Sequence, residues 1–260
     1  FAQHPQYKIF KIDSENIDHE DEGSYLLKRY NHPEEYEKHA PPLKAFFDNT
    51  TNDILFIVCG AGFVSGAVLQ ILKHLSSKNV NILYIKPELQ FLAETNLLQE
   101  QLVRNVLQEY TRSGLFKRLY IVDNTEIEKI LGDVPIMTFF DHINDLLVST
   151  VHMINVYKHN EPIYKTPFES KVGRSISTFG LTDLQNGEEK LFFSLDNVSE
   201  KSYYYAINEK ELEQDGALFR RLTDNIQQNQ KDIKTSFQIY STSYEKNYGY
   251  IVANTSHTSN

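Results

Sequence analysis

Seven residues, Gly60-Ala61-Gly62-Phe63-Val64-Ser65-Gly66, follow directly on the apolar run Ile54-Leu55-Phe56-Ile57-Val58 and Cys59. After them, Ala67, Val68, Ile71, Leu72 and Leu75 recur at helical spacing. A strand, a glycine-rich turn and a helix leave backbone N–H groups free where the helix dipole also favours negative charge. The chemistry this serves is the holding of a phosphate. Glycine belongs in such a turn where backbone approaches the anion closely or takes positive φ. A tight structural turn without a ligand has the same pattern, and both readings stay open at this point.

Two other phosphate motifs compete. Gly60-x-Gly62-x-x-x-Gly66 approximates the dinucleotide fingerprint of an NAD(P)-dependent enzyme. An earlier strand at residues 8–12 counts against it, because the fingerprint follows the first strand. So does Lys86-Pro87, with Glu88 slightly late, where an acid should end the next strand. A Walker-type loop is excluded, since no Lys-Ser or Lys-Thr follows the glycines. No metal site is expected: His32 and His39 lie seven apart, and neither they nor His142 and His152 have the His-x-x-x-His spacing that places two ligands on one helical face. Asp18, Glu20, Asp21 and Glu22 read as a solvated acidic loop. Cys59 ends what reads as a buried strand, and no nucleophile-elbow pattern supports covalent catalysis.

These residues sit in a chain of 260 with 40% hydrophobic and 23% charged residues, enough for one large core or two modest ones. The net charge of −9 argues against non-specific nucleic-acid binding. No run reaches the ~20 apolar residues of a membrane-spanning helix, so no membrane insertion is expected. With Cys59 as the only cysteine, no internal disulfide and no cysteine-based metal site is possible, which fits a reducing compartment. The opening Phe1-Ala2-Gln3 has no methionine or signal-like segment, the expectation being a fragment, a processed chain or part of something longer.

The elements that would position the turn alternate. Lys8 to Ile12 reads as a strand and Leu43 to Asp48 as a short helix after Pro41-Pro42. Ile54 to Val58 is continuous and apolar, as a strand covered on both faces should be. Val80 to Ile85 and Leu119 to Val122 are further strands, with a long amphipathic helix over 91–112 between them that stops near Gly114. Glu126 to Leu131 is a short helix closed by Gly132. A longer helix, Met137 to Tyr157, carries Phe140, Ile143, Leu147, Val151 and Ile154 on one stripe. Beyond Pro162 strands dominate: Leu191 to Leu195, Tyr203 to Ile207 with one of its three tyrosines buried and two at the surface, Thr235 to Ser241 and Tyr248 to Ala253. The last two read as an antiparallel pair, and Leu218 to Gln227 as a helix. The fold class is α/β, with a mainly parallel Rossmann-like sheet, helices on both faces, a central helix and a smaller α+β C-terminal domain. The domain division is 1–136, 137–158 and 159–260.

Several stretches, in order, resemble the FtsZ branch of the tubulin superfamily. Cys59-Gly60-Ala61-Gly62-Phe63-Val64-Ser65-Gly66-Ala67 is similar to that family's phosphate loop, GGGTGSG, and Ile85-Lys86-Pro87 to its lysine–proline strand end. Ile121 to Gly132 resembles the strand and short helix I-P-N-D-K-L-L-x-x-x-G. Phe139 to Leu147 resembles the start of the central helix, AFxxANDVL. Phe237 to Tyr240 and Tyr250 to Thr255 fall where the family's closing β-hairpin ends.

The resemblance implies a GTPase-type domain, GTP or GDP with Mg²⁺ only where GTP binds, and head-to-tail self-assembly into filaments. On matching positions, Gly60, Ala61, Gly62, Ser65 and Gly66 are the nucleotide-binding residues, and Asn144 falls where the family's asparagine meets the base. Phe63 and Val64 replace the family's threonine and glycine, which removes a phosphate donor and narrows backbone approach. The family's catalytic loop, N-x-D-F-x-D, is replaced by Lys165-Thr166-Pro167-Phe168-Glu169-Ser170, leaving Glu169 as the one candidate to orient water. The implied function is a cytoplasmic self-assembling cytoskeletal or structural protein with a degenerate GTP site and weak or absent hydrolysis. Its rivals are a nucleotide-free structural or adaptor subunit of a larger assembly or viral particle, and the NAD(P)-dependent enzyme.

Overall fold

The computed structural model describes residues 1–15, 23–167, 175–229 and 233–255. The acidic cluster Asp18 to Glu22 and the candidate Glu169 lie outside the described residues. The chain divides into two compact units, Phe1–Leu119 and Tyr120–Asn260.

In the first unit, β1 (Lys11–Asp13) and β2 (Ser24–Leu26) pair in parallel as a separate two-stranded ribbon. The strand expected at 8–12 therefore does not belong to the main sheet. Helix α1 (Pro33–Lys38) forms where the sequence reading gives no element. Its signals are nonetheless present: proline in the first turn with Glu34 and Glu35, and Lys38 in the last turn, the charge order that suits the helix dipole. Helix α2 (Lys44–Phe47) follows.

Strand β3 (Asp53–Cys59) runs through a short 3-10 turn, Phe63–Ala67, into helix α3 (Val68–Lys73). Ala67, Val68, Ile71, Leu72 and Leu75 are all buried, as their spacing requires. Strand β4 (Asn79–Lys86) pairs parallel with β3, from Asp53 opposite Asn79 to Cys59 opposite Ile85. β3 departs from expectation. It has no strand on its other side among the described residues, and Leu55 and Ile57 on one face are 38% and 44% exposed. Its apolar run reflects strand propensity without cover on both faces. Helix α4 (Glu94–Ser113) buries Glu100, Val103, Arg104, Leu107, Gln108 and Thr111, one helical stripe, and ends at Gly114 in the left-handed conformation.

Strand β5 (Arg118–Asp123) opens into helix α5 (Asn124–Leu131) through Asp123, whose carboxylate accepts from the Thr125 N–H at 2.9 Å. That bond satisfies one of the orphan donors of the first turn. Asp123→Ala is expected to lower the unfolding free energy by about 1 kcal/mol, read as a lower urea midpoint at unchanged slope, and Asp123→Asn to recover most of it. An unmoved midpoint in the alanine variant would show that the cap contributes nothing.

In the second unit, helix α6 (Phe139–Lys158) confirms the long helix, about 30 Å at 1.5 Å per residue. Ile143, Leu147, Thr150, Val151, Ile154 and Tyr157 form its buried stripe. Phe140, expected on that stripe, is 65% exposed. The remaining strands are β6 (Tyr164–Lys165), β7 (Ser175–Thr182), β8 (Glu189–Leu191) and β9 (Glu200–Asn208). Helices α7 (Glu209–Gln214) and α8 (Leu218–Gln228), then β10 (Lys234–Thr242) and β11 (Tyr248–Thr255), complete it.

The order is β7-β11-β9-β10-β6, with β8 on β7. β9 and β10 are parallel, while β11 runs antiparallel to both β7 and β9. The last two strands are thus not an adjacent pair, because β9 lies between them. This central place also buries Tyr203, Tyr204 and Tyr205 together, against the expectation of one ring in and two out. Tyr203 and Tyr205 join Leu218, Leu222 and Ile226 of α8 in one core. On the opposite face Tyr157 of α6 packs on Tyr240 at 4.5 Å between ring centroids. Helices on both faces of a mixed sheet give the α/β class expected.

Candidate functional site: the turn after strand β3

The glycine-rich turn rises from Cys59, which is exposed, so the buried setting expected for this thiol is not found. Gly60 is held to β4 by its N–H, which donates to Ile85 O at 3.3 Å. Gly62 is exposed and caps the 3-10 turn from an extended conformation, φ −73° and ψ 148°, with no side chain bonded to the free N–H groups there. The N–H groups of Ala61 and Gly62 donate to no backbone acceptor among the described residues. An exposed, uncapped helical start with free amides is what an anion needs.

The three glycines have different reasons to be glycine, and none is a positive φ. A Cβ on Gly60 would lie 1.8 Å from the Tyr84 hydroxyl, and one on Gly66 would lie 2.0 Å from the Pro33 carbonyl oxygen of α1. Both are demanded by close packing within the chain. A Cβ on Gly62 would meet nothing within 4 Å, so this is the open side, where a ligand can approach.

Beneath the turn lies a buried polar group that the sequence reading missed. Tyr84 of β4 donates its hydroxyl to Glu100 Oε1 at 3.0 Å, and Arg104 Nε donates to the same oxygen at 3.0 Å. Glu100 is fully buried and its Oε2 has no partner among the described residues. Burial first, then the Glu100 carboxylate, push the Tyr84 phenol far above its ordinary range, so it stays protonated and acts as a donor. The signal was present as an i, i+4 acid–arginine pair on a helix.

Gly60, Ala61, Gly62, Ser65 and Gly66 stand together on this one turn. Ser65 is buried, and its hydroxyl donates inward to Gly60 O at 3.2 Å. Asn144 is exposed on α6 in the second unit. Among the described residues no group of three or more His, Cys, Asp or Glu could hold a metal ion. His39 stacks on Tyr30 at 5.1 Å, and His142 Nδ1 lies 2.7 Å from the Thr138 carbonyl. No described helix is long and apolar enough to cross a membrane.

No family model and no curated protein matches the chain. Solved structures do. A subunit of the GTPγS-form protofilament of Bacillus thuringiensis serovar israelensis TubZ superposes with a TM-score of 0.69, covering 92% of this chain and 75% of that one at 14% identity. The chain has the tubulin/FtsZ-like fold. A TubZ subunit from a helical model of a four-stranded filament gives 0.65, with 89% and 73% covered at 15% identity. An empty FtsZ dimer from M. jannaschii gives 0.62, with 86% and 70% covered at 10% identity. Within the tubulin/FtsZ-like fold, the separate β1–β2 ribbon removes one of the two objections to a dinucleotide site. The other stands, since β4 ends on Lys86.

Proposed function

We propose that this chain is a self-assembling protein that holds the phosphates of a guanine nucleotide at the Gly60–Gly66 turn, at a seam between like subunits, and hydrolyses it weakly or not at all. What carries the reading is the likeness of 92% of the chain to a subunit of a GTPγS-form protofilament, together with free amides at an open Gly62. Head-to-tail contact between identical subunits generates an open filament when the rotation does not close. In this reading 1–136 is the nucleotide-binding-type domain, 137–158 the central helix and 159–260 the smaller activation-type domain. Asn144 meets the base, Mg²⁺ enters only with GTP, and Glu169 is the residue left to orient water. Cytoplasmic location belongs to the same proposal.

A nucleotide-free structural subunit of a larger assembly is the second reading, and two observations favour it. Packing alone accounts for Gly60 and Gly66, and the Ser65 hydroxyl is turned inward to the backbone. Nucleotide released on denaturing the purified protein separates the two. Guanine nucleotide is the expected content, and an empty protein that takes up no GTPγS overturns the first reading. Gly62→Val is expected to abolish uptake while leaving thermal stability intact, because the added side chain points into open space and obstructs only a ligand. Equal nucleotide affinity in the variant would remove the turn from the site.

A further inference from the structure

Gly60 is held from several sides. Ile85 O accepts its N–H, the Ser65 hydroxyl bonds to its carbonyl, and the Tyr84 hydroxyl lies directly against its Cα, where a Cβ would come within 1.8 Å. Two residues later Gly62 has nothing where its Cβ would be. The height of Gly60 therefore sets where the free N–H groups of Ala61 and Gly62 point. The phenol that fixes this height is itself fixed. It donates to Glu100 Oε1 and lies 3.3 Å from the Glu100 backbone oxygen, and Arg104 holds that carboxylate from one helical turn further on.

We propose that Tyr84 is a positioning residue for the glycine-rich turn, its phenol held beneath Gly60 by Glu100 and Arg104 so that the turn's free amides keep one direction. The consequence for ligand affinity rests on the reading of the turn as a phosphate site. The consequence for the turn itself does not. Packing against Tyr84 leaves no room for a side chain at Gly60, and the Arg104 charge lets the carboxylate remain buried under an anion site without repelling what binds there.

Tyr84→Phe and Glu100→Gln in the full chain test this, with amide hydrogen exchange over residues 60–66, global stability and affinity for GTPγS as readouts. Tyr84→Phe loses the hydroxyl that meets Gly60. Exchange at the bonded amides of the turn, Gly60 to Ile85 O and Ser65 to Gly62 O, is expected to rise about tenfold, the equivalent of one hydrogen bond, and GTPγS affinity to fall by a similar factor. Glu100→Gln keeps an acceptor for the phenol but strips Arg104 of its counter-charge. It is expected to lower global stability more than Tyr84→Phe does, while leaving exchange at the turn near wild type.

A merely structural cluster gives the opposite pattern, with turn exchange following global stability in both variants, and that result overturns the proposal. A wild type that binds no GTPγS, with exchange at the turn still raised only in Tyr84→Phe, sinks the nucleotide reading and supports the positioning role. Intact binding and unchanged exchange in Tyr84→Phe does the reverse. Should Tyr84→Phe fail to fold, Glu100→Gln alone decides. Turn exchange near wild type supports the role, and exchange that rises with its loss of stability refutes it.

Discussion

Gly66→Ala is expected to lower the unfolding free energy by about 2–3 kcal/mol, whereas Gly62→Ala, four residues earlier in the same turn, should change it by less than about 0.5 kcal/mol. The difference comes from what each methyl would meet. At Gly66 it would lie 2.0 Å from the Pro33 carbonyl oxygen, 2.7 Å from its carbon and 3.0 Å from its Cα, all backbone that cannot swing aside. Relief requires α1 to move away from the 3-10 turn, which opens a gap between two packed elements. At Gly62 the backbone is already extended, a conformation open to any residue, and the space is empty. Urea unfolding of the two variants side by side measures this. Equal losses would mean that the glycines serve a common backbone need and not two separate ones.

Arg104→Met is expected to be more severe, about 3–5 kcal/mol. Its side chain is 9% exposed and that of Glu100 is 0% exposed, so removing the guanidinium leaves a carboxylate in the interior with only the Tyr84 phenol for company. Adding Glu100→Gln to Arg104→Met should return most of that loss, since a neutral amide still accepts from Tyr84 and no longer needs a counter-charge. A double-mutant cycle in denaturant reads the coupling directly. Strict additivity of the two single changes would show that the charges do not interact.

The first unit was largely legible because its elements carry strong periodicity. The stripe Val68, Ile71, Leu72 and Leu75 and the cap at Gly114 are local signals, and both are found where the spacing puts them. The turn was legible as a strand–glycine–helix junction, but the reason for each glycine was not. Positive φ is a local property and none of the three has it. The contacts that decide Gly60 and Gly66 come from Tyr84 and Pro33, at 24 and 33 residues' remove.

The second unit was less legible, for a physical reason that β7 makes plain. Ser175-Ile176-Ser177-Thr178-Phe179-Gly180-Leu181-Thr182 shows no apolar alternation, yet Ser177 and Thr178 are buried. The Ser177 hydroxyl is satisfied by Asn254 Oδ1 at 2.7 Å on the neighbouring strand, so a polar residue costs little there. The order of β10 and β11 was misread because strand adjacency is set by long-range pairing. Nothing local in Thr235 to Ala253 reveals that β9 inserts between them. The same insertion explains the tyrosine triplet, since a central strand is covered on both faces.

Sedimentation of the protein with GTPγS, with GDP and without nucleotide, in wild type and in Gly62→Val, addresses both the seam between subunits and the turn within it. Wild type should pellet with GTPγS and remain in the supernatant without nucleotide, and Gly62→Val should remain there in every condition. Pelleting that is indifferent both to nucleotide and to residue 62 would contradict a phosphate-holding turn at the contact between copies.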